Sequence, residues 1–189
     1  RRVRCNPSSA AGTPPLDTSR EDHTLQFTKM HGTGNDFVLI DARAMAPRDW
    51  GSFARRVCDR HFGVGADGLL LVLDSVCADF RMQMFNPDGS EAEMCGNGIR
   101  CFGKYVFERG LTAKREIRVE TGAGILAVAL LGSGDMVEQV RVSMGLPVLA
   151  GPRIPVAVDR EPVLNYPLEI AGQTLPITCV SMGNPHAVT

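Results

Sequence analysis

The chain has 189 residues, 44% of them hydrophobic, and a formal net charge of −1 at pH 7. These values are typical of a soluble globular protein of one ordinary or two small domains, and the balanced charge gives no indication of a surface that binds nucleic acid. The longest apolar run, residues 125–131, is far shorter than the roughly 20 residues that cross a bilayer, so we expect no membrane partner.

Residues 1–24 differ in composition from the rest of the chain. Arg1, Arg2 and Arg4 precede a stretch rich in Ser, Ala and Pro, and the first acidic residue is Asp17. A basic, Ser-rich and acid-poor segment is typical of an organelle transit peptide. We therefore predict that residues 1–24 are a disordered tail or a transit-peptide remnant. A transit peptide would place the protein in an organelle, and any other tail would leave it in the cytoplasm.

Strands, glycine loops and one helix alternate in the first half of the chain. Alternating apolar residues predict strands at 25–30 and 79–86, and continuous apolar runs predict strands at 37–40 and 69–73. The loop His31–Asp36 is typical of a hairpin turn, in which Asn35 either caps the turn or binds a ligand. A 3.6-residue period predicts a core helix over 48–60. The second glycine loop, 61–68, lacks the Gly-Lys-Ser/Thr of a P-loop, which excludes that phosphate site.

The stretch 85–110 organises the rest of the chain, because it joins a turn to the most regular helix pattern. Its apolar face is formed at i, i+3, i+4 and i+7 by Ile99, Phe102, Gly103 and Val106. Gly110 is typical of a helix stop. The remaining pattern predicts a meander of antiparallel strands at 116–120, 125–131 and 137–143, a boundary near Ser143, and a hairpin at 168–171 and 175–181. Such a sequence of elements predicts an α+β fold.

Cys95 stands where this helix is predicted to begin, followed by Gly96-Asn97-Gly98. The first N–H groups of a helix lack internal partners and carry a partial positive charge, so they attract an anion and favour a thiolate. The two glycines leave the backbone open to a ligand. We predict a carboxylate held beside a reactive thiol, and the alternative is a buried structural cysteine before an ordinary turn.

The six cysteines, at positions 5, 58, 77, 95, 101 and 179, form no CxxC pair. This spacing argues against a disulfide framework and against a four-cysteine zinc site. Cys58 and His61 are three residues apart but lack a full ligand set, so we expect no metal. Cys58 is predicted to face the core, and a reducing compartment is expected.

Six stretches carry a resemblance to a known family. They are MHGTGNDFVLID, DRHFGVGADGLLLV, FNPDGSEAEMCGNGIRCF, VETGAG, VRVSMGLP and VSMGNPH, within Phe27 to His186. In these motifs and their order the sequence closely resembles the N-terminal half of the diaminopimelate epimerase family. The motifs, with GVGADG, resemble those of plant members, which implies the chloroplast stroma if residues 1–24 are a transit-peptide remnant. The resemblance implies two similar domains, each a barrel-like antiparallel sheet around a central helix. Residues 25–143 would be the first domain and 144–189 the truncated start of the second.

The resemblance also implies the chemistry. The family interconverts LL- and meso-2,6-diaminopimelate in lysine biosynthesis, as a homodimer, with no pyridoxal phosphate or other cofactor and no metal. Two cysteines face the substrate α-carbon from opposite sides, and Cys95 matches one of them. The substrate contacts of the family correspond to Asn35, Asn86, Gly96, Asn97 and Asn184. Where some members place a Gln in the second glycine loop, this chain has Gly68.

The second cysteine of the family belongs to a later glycine-rich segment, and neither Cys101 nor Cys179 matches it. We therefore expect these 189 residues to hold half an active site and to be inactive alone. Two other interpretations stay open. One is a different cofactor-independent isomerase of the same fold, such as a proline-racemase-like enzyme. The other is a non-catalytic amino-acid-binding module or pseudoenzyme.

Overall fold

The structure is a computed structural model that describes residues 25–189, so the predictions for residues 1–24 lie outside the described residues. The strands are β1 (Thr28–Gly32), β2 (Asn35–Asp41), β3 (Gly68–Leu73), β4 (Phe80–Phe85), β5 (Glu91–Ala92), β6 (Glu116–Thr121), β7 (Gly124–Leu131), β8 (Gln139–Val142), β9 (Tyr166–Ile170), β10 (Gln173–Ser181) and β11 (Pro185–Val188). The helices are α1 (Trp50–Val57) and α2 (Gly96–Glu108), with a short 3₁₀ turn at Gly151–Arg153. No helix within 25–189 combines the length and apolar character needed to cross a membrane.

The first eight strands form one sheet that curls around α2. The strand order is β1-β2-β3-β4-β6-β7-β8, and β5 pairs with β4. Helix α2 contacts β1 and β8, the two ends of this order, as well as β2, β3, β4 and β7 between them. Its buried face is formed by Ile99, Cys101, Phe102 and Val106. This arrangement confirms the predicted α+β fold with a barrel-like sheet around a central helix.

Two strand pairs in this sheet are parallel, which the sequence analysis did not anticipate. Strand β2 pairs parallel with β3, and β4 pairs parallel with β6. Parallel neighbours need a crossover connection, and the two crossovers here contain α1 and α2. The predicted meander is confirmed for β6, β7 and β8, which are antiparallel.

Helix α2 ends as its sequence predicted. Gly110 has a φ of 69° and follows the last helical residues. Its N–H donates to the carbonyl of Phe107 at 2.9 Å, and the N–H of Leu111 donates to the carbonyl of Val106 at 2.9 Å. This is a Schellman motif, in which the left-handed glycine lets the last carbonyl groups find donors.

Helix α1 is shorter than the predicted 48–60 because both of its ends are fixed by aspartate side chains. Asp49 caps the start by accepting a hydrogen bond from the Ser52 N–H at 2.9 Å. Asp59 accepts from the N–H groups of His61 and Phe62, both at 2.7 Å, which turns the chain away from the helix. Cys58 is buried, as predicted.

A second, smaller sheet follows β8. Its strand order is β11-β10-β9, and its own core consists of Ile154, Val163, Ile177 and Cys179. The hairpin predicted here is β9–β10, which turns at Ala171 and Gly172 with φ values of 52° and 77°. An isolated bridge between Val148 and Ser181 joins the start of this segment to the end of β10.

Candidate active site

The first glycine loop is a tight hairpin turn that packs against the start of α2. Strands β1 and β2 pair up to Gly32 and Asn35, and the two turn residues between them, Thr33 and Gly34, have φ values of 53° and 88°. Two positive φ values are typical of a type I′ turn. A Cβ atom on Gly32 would lie 3.1 Å from the carbonyl oxygen of Asn97, so glycine permits this close approach. The hairpin therefore holds Asn35 beside the helix start.

Cys95 is the N-cap residue of α2, the position usually taken by Ser, Thr, Asp or Asn. Its sulfur lies 3.4 Å from the N–H of Gly98 and accepts a hydrogen bond from it. A Cβ atom on Gly98 would lie 3.2 Å from Leu70 Cδ2 and 3.4 Å from the Cβ of Cys95, so the bare glycine leaves room for the thiol. The sequence prediction of a thiol at the helix start thus corresponds to a capping thiol.

Two further backbone donors lie beside this sulfur. Within residues 25–189, the N–H groups of Gly96 and Asn97 have no hydrogen-bond acceptor, as expected for the first turn of a helix. A Cβ atom on Gly96 would meet no atom within 4 Å. The positive end of α2 is therefore open to a ligand next to the Cys95 thiol.

A cleft of about 430 Å³ lies between the start of α2, the end of the first sheet and the β10–β11 turn. Its lining combines polar groups with apolar side chains: Asn35, Cys95, Gly96, Asn97, Arg100, Val140, Val142, Met144, Met182, Asn184 and His186. This volume is within the range of small-molecule sites. The structure thus brings five of the six predicted site residues to one place. The side-chain amides of the three asparagines among them, Asn35, Asn97 and Asn184, offer donors and acceptors, which suits a ligand with ammonium and carboxylate groups.

Asn86, the sixth predicted site residue, does not line this cleft. Its side-chain amide donates to Ser90 Oγ at 3.0 Å, and its backbone N–H donates to the Ser90 carbonyl at 2.8 Å. The residue is thereby held within its own turn. Of the three asparagines outside the helix start that the resemblance assigns to the substrate, Asn35 and Asn184 line the cleft and Asn86 does not.

Gly68 begins β3 in a tightly packed position. A Cβ atom there would lie 3.0 Å from Met84 Cε and 3.2 Å from the carbonyl oxygen of Phe85. The resemblance implies a glutamine contact in this loop for some family members, and Gly68 has no side chain to make it.

Cys95 is the one cysteine within residues 25–189 that lines the cleft. Cys58, Cys101 and Cys179 are buried, and burial raises the pKa of the Cys58 and Cys101 thiols. Cys77 is exposed and donates to Glu120 Oε2 at 3.5 Å, on the loop before β4. In the same described range, no three His, Cys, Asp or Glu side chains group as a metal site.

A larger groove of about 980 Å³ lies elsewhere, on β6, β7 and β8 beside Cys77. None of the predicted site residues lines it. Within residues 25–189, a thiol, open helix N–H groups and asparagine side chains come together only in the smaller cleft, which is therefore the candidate active site.

Arg100 and His186 also line the cleft, although neither was among the predicted site residues. The guanidinium of Arg100 donates to Asn97 Oδ1, and His186 Nδ1 lies 2.9 Å from the Asn184 carbonyl oxygen. A signal for Arg100 was present, because residues three apart on a helix are neighbours on its surface. His186 carried no such signal, since its position depends on the pairing of β10 with β11.

Residues 27–150 match the family model described as diaminopimelate epimerase. The chain belongs to the diaminopimelate epimerase family. It is 56% identical over 165 residues to the diaminopimelate epimerase of Moorella thermoacetica and 52% identical to that of Acetivibrio thermocellus, covering 87% of this chain in each comparison. The chain spans 59% of the length of each of these curated relatives.

The fold also occurs outside this family. A solved structure of a probable proline racemase from Agrobacterium radiobacter superimposes with a TM-score of 0.66 at 16% identity, over 87% of this chain and 51% of that one. At this level of identity the similarity concerns the fold alone. It agrees with a curled sheet around a central helix as the shared architecture.

Proposed function

We propose that the protein interconverts LL- and meso-diaminopimelate without a cofactor, with Cys95 as one of two acid/base thiols. The observation that carries this proposal is the position of the Cys95 sulfur, at the N-cap of α2 and beside the open N–H groups of Gly96 and Asn97. Membership of the diaminopimelate epimerase family supplies the substrate.

The geometry accounts for the removal of a weakly acidic proton. The α-carboxylate of the substrate would accept hydrogen bonds from the N–H groups of Gly96 and Asn97, which stabilise negative charge as it develops on the α-carbon. The Cys95 thiolate would take the α-proton and become a thiol. The side chains of Asn35 and Asn184 would bind the polar groups around that carbon.

Inversion needs a proton donor on the opposite face of the α-carbon. Across residues 25–189, Cys95 is the single thiol at the cleft, and the resemblance assigns the second thiol to a later glycine-rich segment. Since the chain spans 59% of its relatives, full epimerisation, the role in lysine biosynthesis and the homodimer are proposals for the whole protein. The plastid location likewise stays a proposal, and the bacterial relatives give it no support.

The test is to incubate the 189-residue chain with LL-diaminopimelate in D₂O. We expect slow deuterium incorporation at the α-carbon and no meso product, because one thiol returns a proton to the face from which it took one. Cys95→Ser should abolish the exchange, and Cys77→Ser, at an exposed thiol away from the cleft, should leave it unchanged.

Other outcomes would separate the alternatives. Binding of diaminopimelate with no exchange would favour the amino-acid-binding module over the enzyme. Meso product from the chain alone would show that another residue supplies the second face. Exchange that persists in Cys95→Ser would remove Cys95 from the mechanism.

A further inference from the structure

Asn97 is held from one side by two neighbours. Its side-chain oxygen Oδ1 lies 3.1 Å from the hydroxyl of Thr33, in the β1–β2 turn, and it accepts a hydrogen bond from the guanidinium of Arg100. Asn97 also lines the cleft beside Cys95. Within residues 25–189 the two hydrogens on its Nδ2 have no acceptor. One end of the amide is therefore occupied, and the other is available to a ligand.

The orientation of this amide depends on Arg100 rather than on Thr33. The Thr33 hydroxyl also lies 2.7 Å from the Gly32 carbonyl oxygen, and a hydroxyl both donates and accepts, so it tolerates either end of the Asn97 amide. A guanidinium has five donors and no acceptor. If the amide turned over, its NH₂ group would face the guanidinium, donor against donor. Arg100 therefore permits one orientation, with Oδ1 toward itself and Nδ2 away.

We infer that Arg100 is a positioning residue that keeps the Asn97 amide turned so that it donates to a carboxylate of the bound substrate. The role deepens the proposed function and rests on it for the identity of the ligand. In the correct orientation the Asn97 side chain adds a donor to those of the Gly96 and Asn97 backbone, on the same side of the cleft as the thiol. In the reversed orientation its oxygen would repel the carboxylate that the backbone attracts.

The first experiment measures the amide itself and needs no activity. In ¹H–¹⁵N spectra of the protein at its native length, the two Nδ2 hydrogens of Asn97 should give one sharp pair of signals, with no close contact to Arg100. Arg100→Met should broaden or double this pair, because both orientations become possible. Arg100→Lys should preserve it, because an ammonium group also has no acceptor. A sharp, unchanged pair in Arg100→Met would overturn the inference whether or not diaminopimelate binds.

The second experiment measures ligand binding with meso-diaminopimelate by calorimetry. Arg100→Met should weaken binding about tenfold, the loss expected for one hydrogen bond to a charged group, and Arg100→Lys should recover most of it. Asn97→Ala should weaken binding to a similar extent. Adding Arg100→Met to Asn97→Ala should then cost no more than about twofold, because the amide through which Arg100 acts is gone.

Additive losses in that double variant would overturn the positioning role and show that Arg100 acts on the ligand directly. Failure of the unaltered protein to bind or turn over diaminopimelate would refute the proposed function instead. The spectra of Asn97 would still decide the role of Arg100, so the two failures are distinguishable.

Discussion

Asp36, which follows Asn35 in β2, is the centre of an ion-pair network that fastens the first glycine loop to the second. Its carboxylate lies 2.8 Å from Lys29 Nζ and 2.7 Å from Arg60 Nη2, and Arg60 also pairs with Asp67 at 2.8 Å. The backbone N–H of Asp36 donates to Asp67 Oδ2 at 3.0 Å, and that of Asp67 donates to the Asp36 carbonyl at 2.8 Å. The network thus supports the hairpin that carries Asn35 and Thr33.

We predict that Asp36→Asn destabilises the protein by about 1–2 kcal/mol at pH 7. The Asp36 side chain is 19% exposed, but that of Arg60 is 55% exposed, so solvent screens part of the attraction. Exposed ion pairs contribute roughly 0.2–1 kcal/mol each, and hydrogen bonds to charged groups about 1.5–3 kcal/mol. Arg60 would keep Asp67 as a partner, which limits the loss. Asparagine keeps the shape and one acceptor oxygen, so the change tests the charge.

The stabilisation that Asp36 provides should depend on pH, because its carboxylate must be ionised to pair with Arg60 and Lys29. Hydrogen bonds from Arg60 and then Lys29 hold the pKa of Asp36 far below its ordinary value of 3.8. A lowered pKa in the folded state stabilises the protein fully above the unfolded value, and the contribution is lost as pH falls through the folded value. The difference between the original protein and Asp36→Asn should therefore be constant from pH 5 to 7 and shrink below about pH 4.

Urea unfolding followed by circular dichroism at pH 7, 5, 4 and 3 measures these free energies. Asp135→Asn is the matched control, because Asp135 is exposed in the β7–β8 turn and forms no ion pair within residues 25–189. The control should lie within about 0.5 kcal/mol of the original at every pH. A difference for Asp36→Asn that does not shrink at low pH would refute the electrostatic reasoning, since loss of packing alone does not depend on protonation.

Three further predictions test the core, the thiol and the first residues. Phe102→Ala, at a buried position in the core, should lower the free energy of unfolding in urea by about 3–5 kcal/mol. Phe62→Ala, at a side chain that is 96% exposed, should lower it by less than about 0.5 kcal/mol. Equal losses of stability in the two variants would contradict the assigned core. Iodoacetamide should alkylate Cys95 in the folded protein well before the buried Cys101, as followed by peptide mass spectrometry, and equal rates would argue against an accessible thiol in the cleft. Deleting residues 1–24 should leave the melting temperature of the remainder unchanged, and a clear decrease would show that they pack.

Local patterns were sufficient for the parts of the fold that depend on near neighbours. The helix α2, its stop at Gly110 and the β1–β2 hairpin all follow from residues within a few positions of one another. The two parallel pairs could not be predicted in this way. They join strands separated by whole crossovers, and no local signal states which strand lies beside which. The shortened α1 shows an intermediate case, because its aspartate caps were visible in the sequence but were outweighed by the apolar period.

The candidate site likewise contains residues that are contiguous in the sequence and residues that only the fold brings together. Cys95, Gly96 and Asn97 are contiguous, so a helix start predicts their common position. The glycine loop alone left Asn35 as either a turn cap or a ligand contact, and Asn184 was assigned through the family resemblance. No local pattern states that these two residues line the same cleft. For Asn86 the local sequence argued against a place in the cleft. Ser90 lies four residues later in the same turn, where its hydroxyl accepts a hydrogen bond from the Asn86 side chain. A search for partners within each turn would have separated Asn86 from the cleft residues.

The place where α2 begins explains why the thiol and the distant asparagine share one cleft. Helix α2 packs against the first sheet, and its first turn lines the cleft together with Val140 and Val142 of β8, the last strand of that sheet. The chain passes from β8 directly into the second segment, whose β10–β11 turn returns to the same point: a Cβ atom on Gly183 would lie 3.6 Å from Met94 Cε, one residue before the thiol. The start of α2, with the partial positive charge of its free N–H groups, therefore faces the turn between β10 and β11. A residue such as Asn184 reaches Cys95 through this topology, not through any property of its own sequence neighbourhood.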